Sequence, residues 1–257
     1  MLLGARRWLC LVVFLAGWGC SAAPAPRPLA AAPLRQAVLA ARTDMEGYTA
    51  TLELTFMGPQ GRYRGRASLR VERPDRLRYE LYGPHGGVVL ALACDGAQLD
   101  VLSMDGPHLR RGPAQAATLD RVLGLGPLGL GPAGWVALLL GEVVPPGEAT
   151  LAAQQVGDAR QLSWHLGDRT VRLGLGAEGG RPHWLEVERA GGARVLAVQI
   201  GRRDGLGLPV ALQLQAPAAG TEVAIRLLDV EAVDGSAGAT PGTFALGPIP
   251  GLAVEPL

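Results

Sequence analysis

The chain has 257 residues, of which 48% are hydrophobic and 18% charged, with 37 Gly and 20 Pro but few aromatics. Its formal net charge of +1 at pH 7 argues against nucleic-acid binding or an electrostatic membrane footprint as its main business. Abundant Gly and Pro suit many short strands joined by turns, and the length supports one domain with a sizeable core.

In chain order, residues 1–19 read as an export leader. Arg6 and Arg7 form a positive n-region, and Trp8 to Trp18 is an apolar run too short for a membrane span. The order Leu15-Ala16-Gly17-Trp18-Gly19-Cys20 resembles a bacterial lipoprotein signal, in which the Cys becomes the lipidated first residue. Gly19 and Cys20 fit that pattern, whereas Gly17 and Trp18 stand where it has an aliphatic and a small residue. The alternative is a plain secretory peptide cut near Ala22 or Ala23. Ser21, rather than Asp, after the Cys favours the outer membrane by resemblance to enterobacterial sorting rules. Loss of Arg6 and Arg7 with the leader brings the charge from +1 to −1. Cys10 leaves with the leader and Cys20 carries lipid, so Cys94 stands alone and no intrachain disulfide forms. In the run Leu92-Ala93-Cys94 it reads as a buried structural thiol.

Residues 20–36 hold the lipidated Cys and an Ala/Pro-rich tether, SAAPAPRPLAAAP from Ser21 to Pro33. A short helix is expected over Leu34–Met45. Strands follow. Tyr48, Ala50, Leu52, Leu54 and Phe56 alternate with Thr49, Thr51, Glu53 and Thr55; Tyr63, Gly65, Ala67, Leu69 and Val71 alternate with Arg and Ser. Leu77, Tyr79 and Leu81 alternate with Arg76, Arg78 and Glu80. The turn Gly83-Pro84-His85-Gly86-Gly87 leads into Val88–Ala93, apolar on both faces. Gln98–Met104 is a fifth strand. Helices are expected over Ala114–Leu123 and Pro132–Glu142, the latter around Trp135, Leu138 and Leu139 with Pro132 at its first position. Seven more strands are expected between Ala149 and Val230, with Leu212, Leu214, Val223 and Ile225 on one face. Residues 236–257 read as an irregular tail with one extended piece at Phe244. The fold class is therefore mainly β (α+β): a strongly curved antiparallel sheet of about 11–12 strands over residues 37–235, forming a half-barrel whose concave face is closed by the inserted helices. Such a space suits an apolar ligand.

Chemistry is sparse. Gly124-x-Gly126-x-x-Gly129 matches a dinucleotide fingerprint in letters, but it follows a helix, contains Pro127 and lacks a βαβ unit. His85, His108, His165 and His183 show no metal-ligand spacing, so no metal and no cofactor are expected. There is no Gly-x-Ser-x-Gly elbow. Glu53, Glu80, Glu186 and Glu188 fall on polar strand faces. The reading is of a protein that is not an enzyme.

Three stretches resemble LolB, the outer-membrane lipoprotein receptor, and its LolA/LolB lipocarrier superfamily, across roughly Ala37 to Asp234. They are Arg73-Pro74-Asp75-Arg76-Leu77-Arg78-Tyr79 running into Gly83-Pro84-His85-Gly86; Gly126-Pro127-Leu128-Gly129-Leu130 through Trp135–Gly141; and Leu208–Leu214 with Val223–Leu227. The resemblance implies a monomer anchored to the outer membrane through Cys20 and facing the periplasm. It implies that the protein takes acylated lipoproteins from a periplasmic LolA-like carrier and helps insert them into the membrane. The acyl cavity it implies is lined by Leu52, Leu54, Phe56, Leu69, Val71, Leu77, Tyr79, Leu81, Trp135, Leu138, Leu139, Leu212, Leu214, Val223 and Ile225, and the membrane-insertion loop is Pro84, His85 and Gly86. The family presents an apolar residue, commonly Leu, where this chain has His85, a poor membrane wedge. The rival reading is an envelope lipoprotein of the same fold that binds another apolar ligand or acts as a non-catalytic scaffold.

Overall fold

The computed structural model describes residues 25–59, 61–104, 108–123, 130–147, 149–176, 179–233 and 242–257. The leader and Cys20 lie outside the described residues, as does the Gly124–Gly129 motif.

One sheet organises the chain. Its strands are β1 (Arg27–Leu29), β2 (Gly47–Gly58), β3 (Gly61–Glu72), β4 (Arg76–Tyr82), β5 (Val88–Cys94), β6 (Gln98–Ser103), β7 (His108–Pro113), β8 (Leu151–Val156), β9 (Ala159–Leu166), β10 (Arg169–Leu175), β11 (Pro182–Arg189), β12 (Arg194–Ile200), β13 (Ala211–Ala216), β14 (Thr221–Val233) and β15 (Val254–Pro256). Their order is β1-β8-β9-β10-β11-β12-β13-β14-β2-β3-β4-β5-β6-β7-β15. Neighbours are antiparallel except β15, which runs parallel to β7. A sheet of 15 strands must curl, and the period-two pattern sends one side chain in two to the concave face. The alternating rows of β2 and β14 meet directly, with Leu52 opposite Leu227, Leu54 opposite Ile225 and Phe56 opposite Val223.

Three helices lie against this sheet: α1 (Ala31–Ala40), α2 (Ala116–Leu123) and α3 (Pro132–Leu139). α1 packs on β8 and β9 and buries Leu34 and Val38. α3 packs on β3 and β4. α3 is apolar all round and largely buried, with Ala133 exposed, and it ends in a Schellman arrangement. Gly141, at φ 72°, donates to the Leu138 carbonyl, and Glu142 N donates to the Ala137 carbonyl at 2.8 Å; the positive φ is what calls for glycine here. Glu142 then drops into a buried ion cluster. It accepts from Arg73 at 2.7 Å, Arg42 at 3.2 Å and Thr43 N at 2.8 Å. This cluster ties the helix end to the loop after α1 and to the β3–β4 turn.

The structure corrects several expectations. The expected helix at Leu34–Met45 is Ala31–Ala40, because Pro33 sits in the first turn, where no backbone N–H is needed. Arg27–Leu29 pairs with β8, so the second half of the stretch expected as a tether belongs to the fold. The three additional strands are β1, β7 and β15. The C-terminal segment, irregular apart from β15, packs against the sheet. Phe244 is buried within a turn rather than extended, with the Arg70 and Arg76 guanidiniums at 5.7 and 5.4 Å from its ring centre. Leu246 N donates to Asp100 Oδ2 at 2.8 Å, and Arg111 bridges Asp100 and the Leu246 carbonyl. This segment covers the second apolar face of β5. Ala91, Ala93, Leu102, Leu109 and Leu246 form a small outer core, with Val88, Ile249 and Leu252 against it. Both faces of β5 are apolar because both are covered.

Candidate functional site

The two halves of the concave face are filled differently. Under α1 the β8–β12 half packs as core, with a smaller cleft of about 230 Å³ at its end beside Arg42, Glu142, Arg181 and Arg203. Under α2 and α3 the β13–β14–β2–β6 half encloses a cavity of about 620 Å³. Its floor is Leu52, Leu54, Phe56, Leu69, Leu214, Val223 and Ile225 from β2, β3, β13 and β14. One wall is Leu77, Tyr79, Leu81, Leu90 and Leu92 from β4 and β5, and the roof is Leu119, Val122, Trp135 and Leu139 from α2 and α3. Among the described residues, no acidic, basic or histidine side chain belongs to this lining; its polar side chains there are Tyr63, Tyr79, Ser103 and Trp135.

Local irregularities shape the mouth. β4 and β5 shift register next to Tyr82, so Val88 turns out to the second core while Val89 and Leu90 both face the cavity. This β-bulge adds one side chain to the wall. Tyr63 lies flat over Gly65, where a Cβ would stand 2.2 Å from its hydroxyl oxygen, and the Tyr63 hydroxyl donates to the Tyr82 carbonyl. The residue must be glycine for the ring to lie down there. Gly83 and Pro84 complete the rim. Burial, and secondarily Tyr63, pushes the Tyr79 phenol well above its ordinary value, as expected of a hydroxyl in an apolar wall. The Trp135 indole N–H is buried without a hydrogen-bond partner among the described residues, a cost of about 1–3 kcal/mol that burial of the large ring offsets.

Twelve of the fifteen residues expected to line the cavity are brought together there. The other three are not. Val71 lies at the far end of β3, toward the β3–β4 turn, Leu138 faces away from the roof, and Leu212 sits on β13 one pair beyond Leu214; all three are fully packed core. Tyr63, Val89, Leu90, Leu92, Ser103, Leu119 and Val122 line the cavity and were not singled out. The alternation in β3 contained the signal for Tyr63, and the doubly apolar β5 that for Leu90 and Leu92. The bulge at Val89 leaves no mark in the sequence. In the turn expected as an insertion loop, Pro84, His85 and Gly86 are all exposed, and Gly86 has φ 79°.

The titratable groups are scattered. His165 meets Thr170 at 3.3 Å, and His108 faces Glu255 at 3.4 Å. Among the described residues, no three His, Cys, Asp or Glu side chains converge as metal ligands. Cys94 is buried at the end of β5, and burial pushes its thiol up to about 11.

No family model matches this sequence, and no curated protein matches it either. Solved structures do. A LolA superfamily protein from Nitrosomonas europaea superposes with a TM-score of 0.55 at 13% identity, covering 85% of this chain and 98% of the other. It shares their fold. An outer membrane lipoprotein-sorting protein domain from Vibrio parahaemolyticus gives 0.55 at 11% identity, covering 82% and 94%. A DUF1329 family protein from Desulfovibrio piger gives 0.51 at 11%, covering 83% and 96%. The LolA-like architecture thus extends over nearly the whole length of each of these structures, and in this chain its concave side holds the apolar cavity.

Proposed function

We propose that this chain binds the acyl chains of lipoproteins in the cavity under α2 and α3 and helps pass them into the outer membrane. In this reading it is a non-catalytic monomer, lipidated at Cys20 and facing the periplasm, which receives cargo from a LolA-like carrier. One observation carries the reading: a cavity of about 620 Å³ whose lining, among the described residues, holds no charged side chain. The similar structures from Nitrosomonas and Vibrio support it.

The size sets a capacity. At about 30 Å³ per methylene-sized group, the share of one liquid water, roughly twenty groups fit. That is one acyl chain, not the three of a triacylated protein. At about 0.8 kcal/mol per methylene, a chain of about sixteen gains about 13 kcal/mol on leaving water, before the cost of immobilising it. A bilayer offers a similar gain. Uptake from water is then favourable, while handover to the membrane is close to balanced, as a carrier requires.

The test is a transfer assay. A periplasmic carrier loaded with labelled lipoprotein is mixed with this protein and then with liposomes. Label moving to the protein and onward supports the proposal; no uptake contradicts it. Uptake without delivery supports the second reading, a same-fold binder of another apolar ligand or a scaffold, which His85 in the exposed turn favours. In that case His85→Leu restores delivery only if this turn is the insertion element.

A further inference from the structure

The antiparallel order places the β2–β3, β4–β5, β6–β7 and β13–β14 turns at one end of the half-barrel, and the β3–β4, β5–β6 and β12–β13 turns at the other. The second end carries Arg73, Asp75, Asp95, Arg202, Arg203 and Asp204 in its turns, three of each sign, whereas at the first end the described residues of the β2–β3, β4–β5 and β13–β14 turns include no acidic residue, Arg or Lys, and the sequence of the β6–β7 turn includes Asp105. The register also makes one turn stand out. The last β3–β4 pair is Ala67 with Leu81, so Gly61–Arg66 runs on past the β4 pairing. At about 3.3 Å per residue, the β2–β3 hairpin overhangs β4 by roughly 20 Å on that side, while on its other side β14 accompanies β2 up to Met57, with Glu222 directly opposite it. Near the hairpin's tip, Phe56 and Tyr63 line the cavity mouth. Its outer face carries Met57, 40% exposed, directly opposite Arg62. Arg62 is exposed and makes no ion pair among the described residues.

From this, we infer that the tip of the β2–β3 hairpin, not the β4–β5 turn, is the element that touches a lipid bilayer. The inference rests on the acyl-binding reading of the cavity and assigns its membrane contact. An exposed thioether beside an unpaired guanidinium, with two aromatic rings behind them, is the composition of an interfacial anchor. Met57 enters the acyl boundary, Arg62 reaches the lipid phosphates, and Phe56 and Tyr63 lie level with the headgroups. The β4–β5 and β13–β14 turns beside it carry no charged residue, and the cavity opens onto the same side.

The test uses the exported full chain carrying Cys20→Ser, so that no lipid is attached there, floated with vesicles of phosphatidylcholine with and without added phosphatidylglycerol. The double variant Met57→Asp/Arg62→Glu is expected to lower vesicle partition at least about tenfold. His85→Asp in the β4–β5 turn and Leu206→Asp at the opposite end are expected to leave it within about twofold. An unchanged double variant, absence of vesicle binding by the parent chain, or an equal loss in His85→Asp or Leu206→Asp overturns the inference. Titration with a fluorescent fatty-acyl probe in the absence of vesicles separates the two questions. Probe binding retained by the double variant shows an intact cavity. A parent chain that takes no probe sinks the acyl reading, while the flotation result still decides the hairpin.

Discussion

Leu52 and Leu54 are two residues apart on the same face of β2, and this pair separates ligand binding from folding. Leu52 is 2% exposed, whereas Leu54 is half-buried and opens into the cavity. In Leu54→Asp an acyl chain no longer covers a leucine, a loss of up to about 1.5–3 kcal/mol. It must also desolvate a carboxylate or leave it to take up a proton, which costs several kcal/mol more. A total of at least about 3 kcal/mol weakens binding by a hundredfold or more. The empty cavity still hydrates that carboxylate, so folding loses only about 1–2 kcal/mol and Tm falls by a few degrees. Leu52 belongs to the same floor, but its side chain is closed off by its neighbours, so Leu52→Asp buries the charge and is expected to prevent folding. Titration with a fluorescent fatty-acyl probe, paired with thermal melting, reads both quantities. A folded Leu54→Asp that binds the probe as tightly as the parent refutes the cavity as the binding site. A Leu54→Asp as unstable as Leu52→Asp refutes the distinction between the open and the buried part of the floor.

Three further expectations follow from the polar clusters. Glu142→Ala leaves the largely buried Arg73 guanidinium without its anion and costs about 3–5 kcal/mol, read as a Tm drop on the order of 10 °C. Although burial raises Asp100, the hydrogen bonds from Arg111 and Leu246 N outweigh it and hold the carboxyl below its ordinary value. Its stabilisation is therefore present above the unfolded-state value of about 4 and lost as pH falls through the lower folded one; hydrogen exchange over residues 242–257 should quicken below about pH 4, and at neutral pH in Asp100→Asn. Cys94 has the opposite sign. Its folded value, about 11, lies above the ordinary 9.0, so the neutral thiol stabilises the fold below pH 9.0, and that stability is lost as pH rises toward 11. Cys94→Ala should flatten this part of the stability–pH curve in a denaturant titration.

The sheet was legible because its signal is local and repeated. Tyr48 to Phe56, Tyr63 to Val71 and Val223 to Leu227 each declare their inner face by period two, and the register then brings those faces together. The edges of the sheet were not legible. Arg27–Leu29 and Val254–Pro256 are three-residue strands defined only by the partners they pair with, and neither has a pattern of its own. His108–Pro113 alternates weakly because its inner face ends under Gly112 and Leu257. The C-terminal segment reads as irregular since its order comes from Asp100, Arg111 and the two arginines around Phe244, all distant in sequence. Within the cavity, alternation alone cannot tell wall from core: Val71 and Leu69 share a face of β3, and only the placement of α3 decides that Leu69 borders empty space while Val71 does not.

The most direct measurement is photo-crosslinking with an acylated peptide that carries a diazirine at the end of its acyl chain. Crosslinks at Leu52–Phe56, Leu77–Leu92, Leu119–Val122, Trp135–Leu139 and Leu214–Ile225, at one acyl chain per protein and lost in Leu54→Asp, are what an acyl-filled cavity requires. Crosslinks confined to the outer face of the sheet, or none at a peptide concentration that saturates a LolA-like carrier, would contradict it.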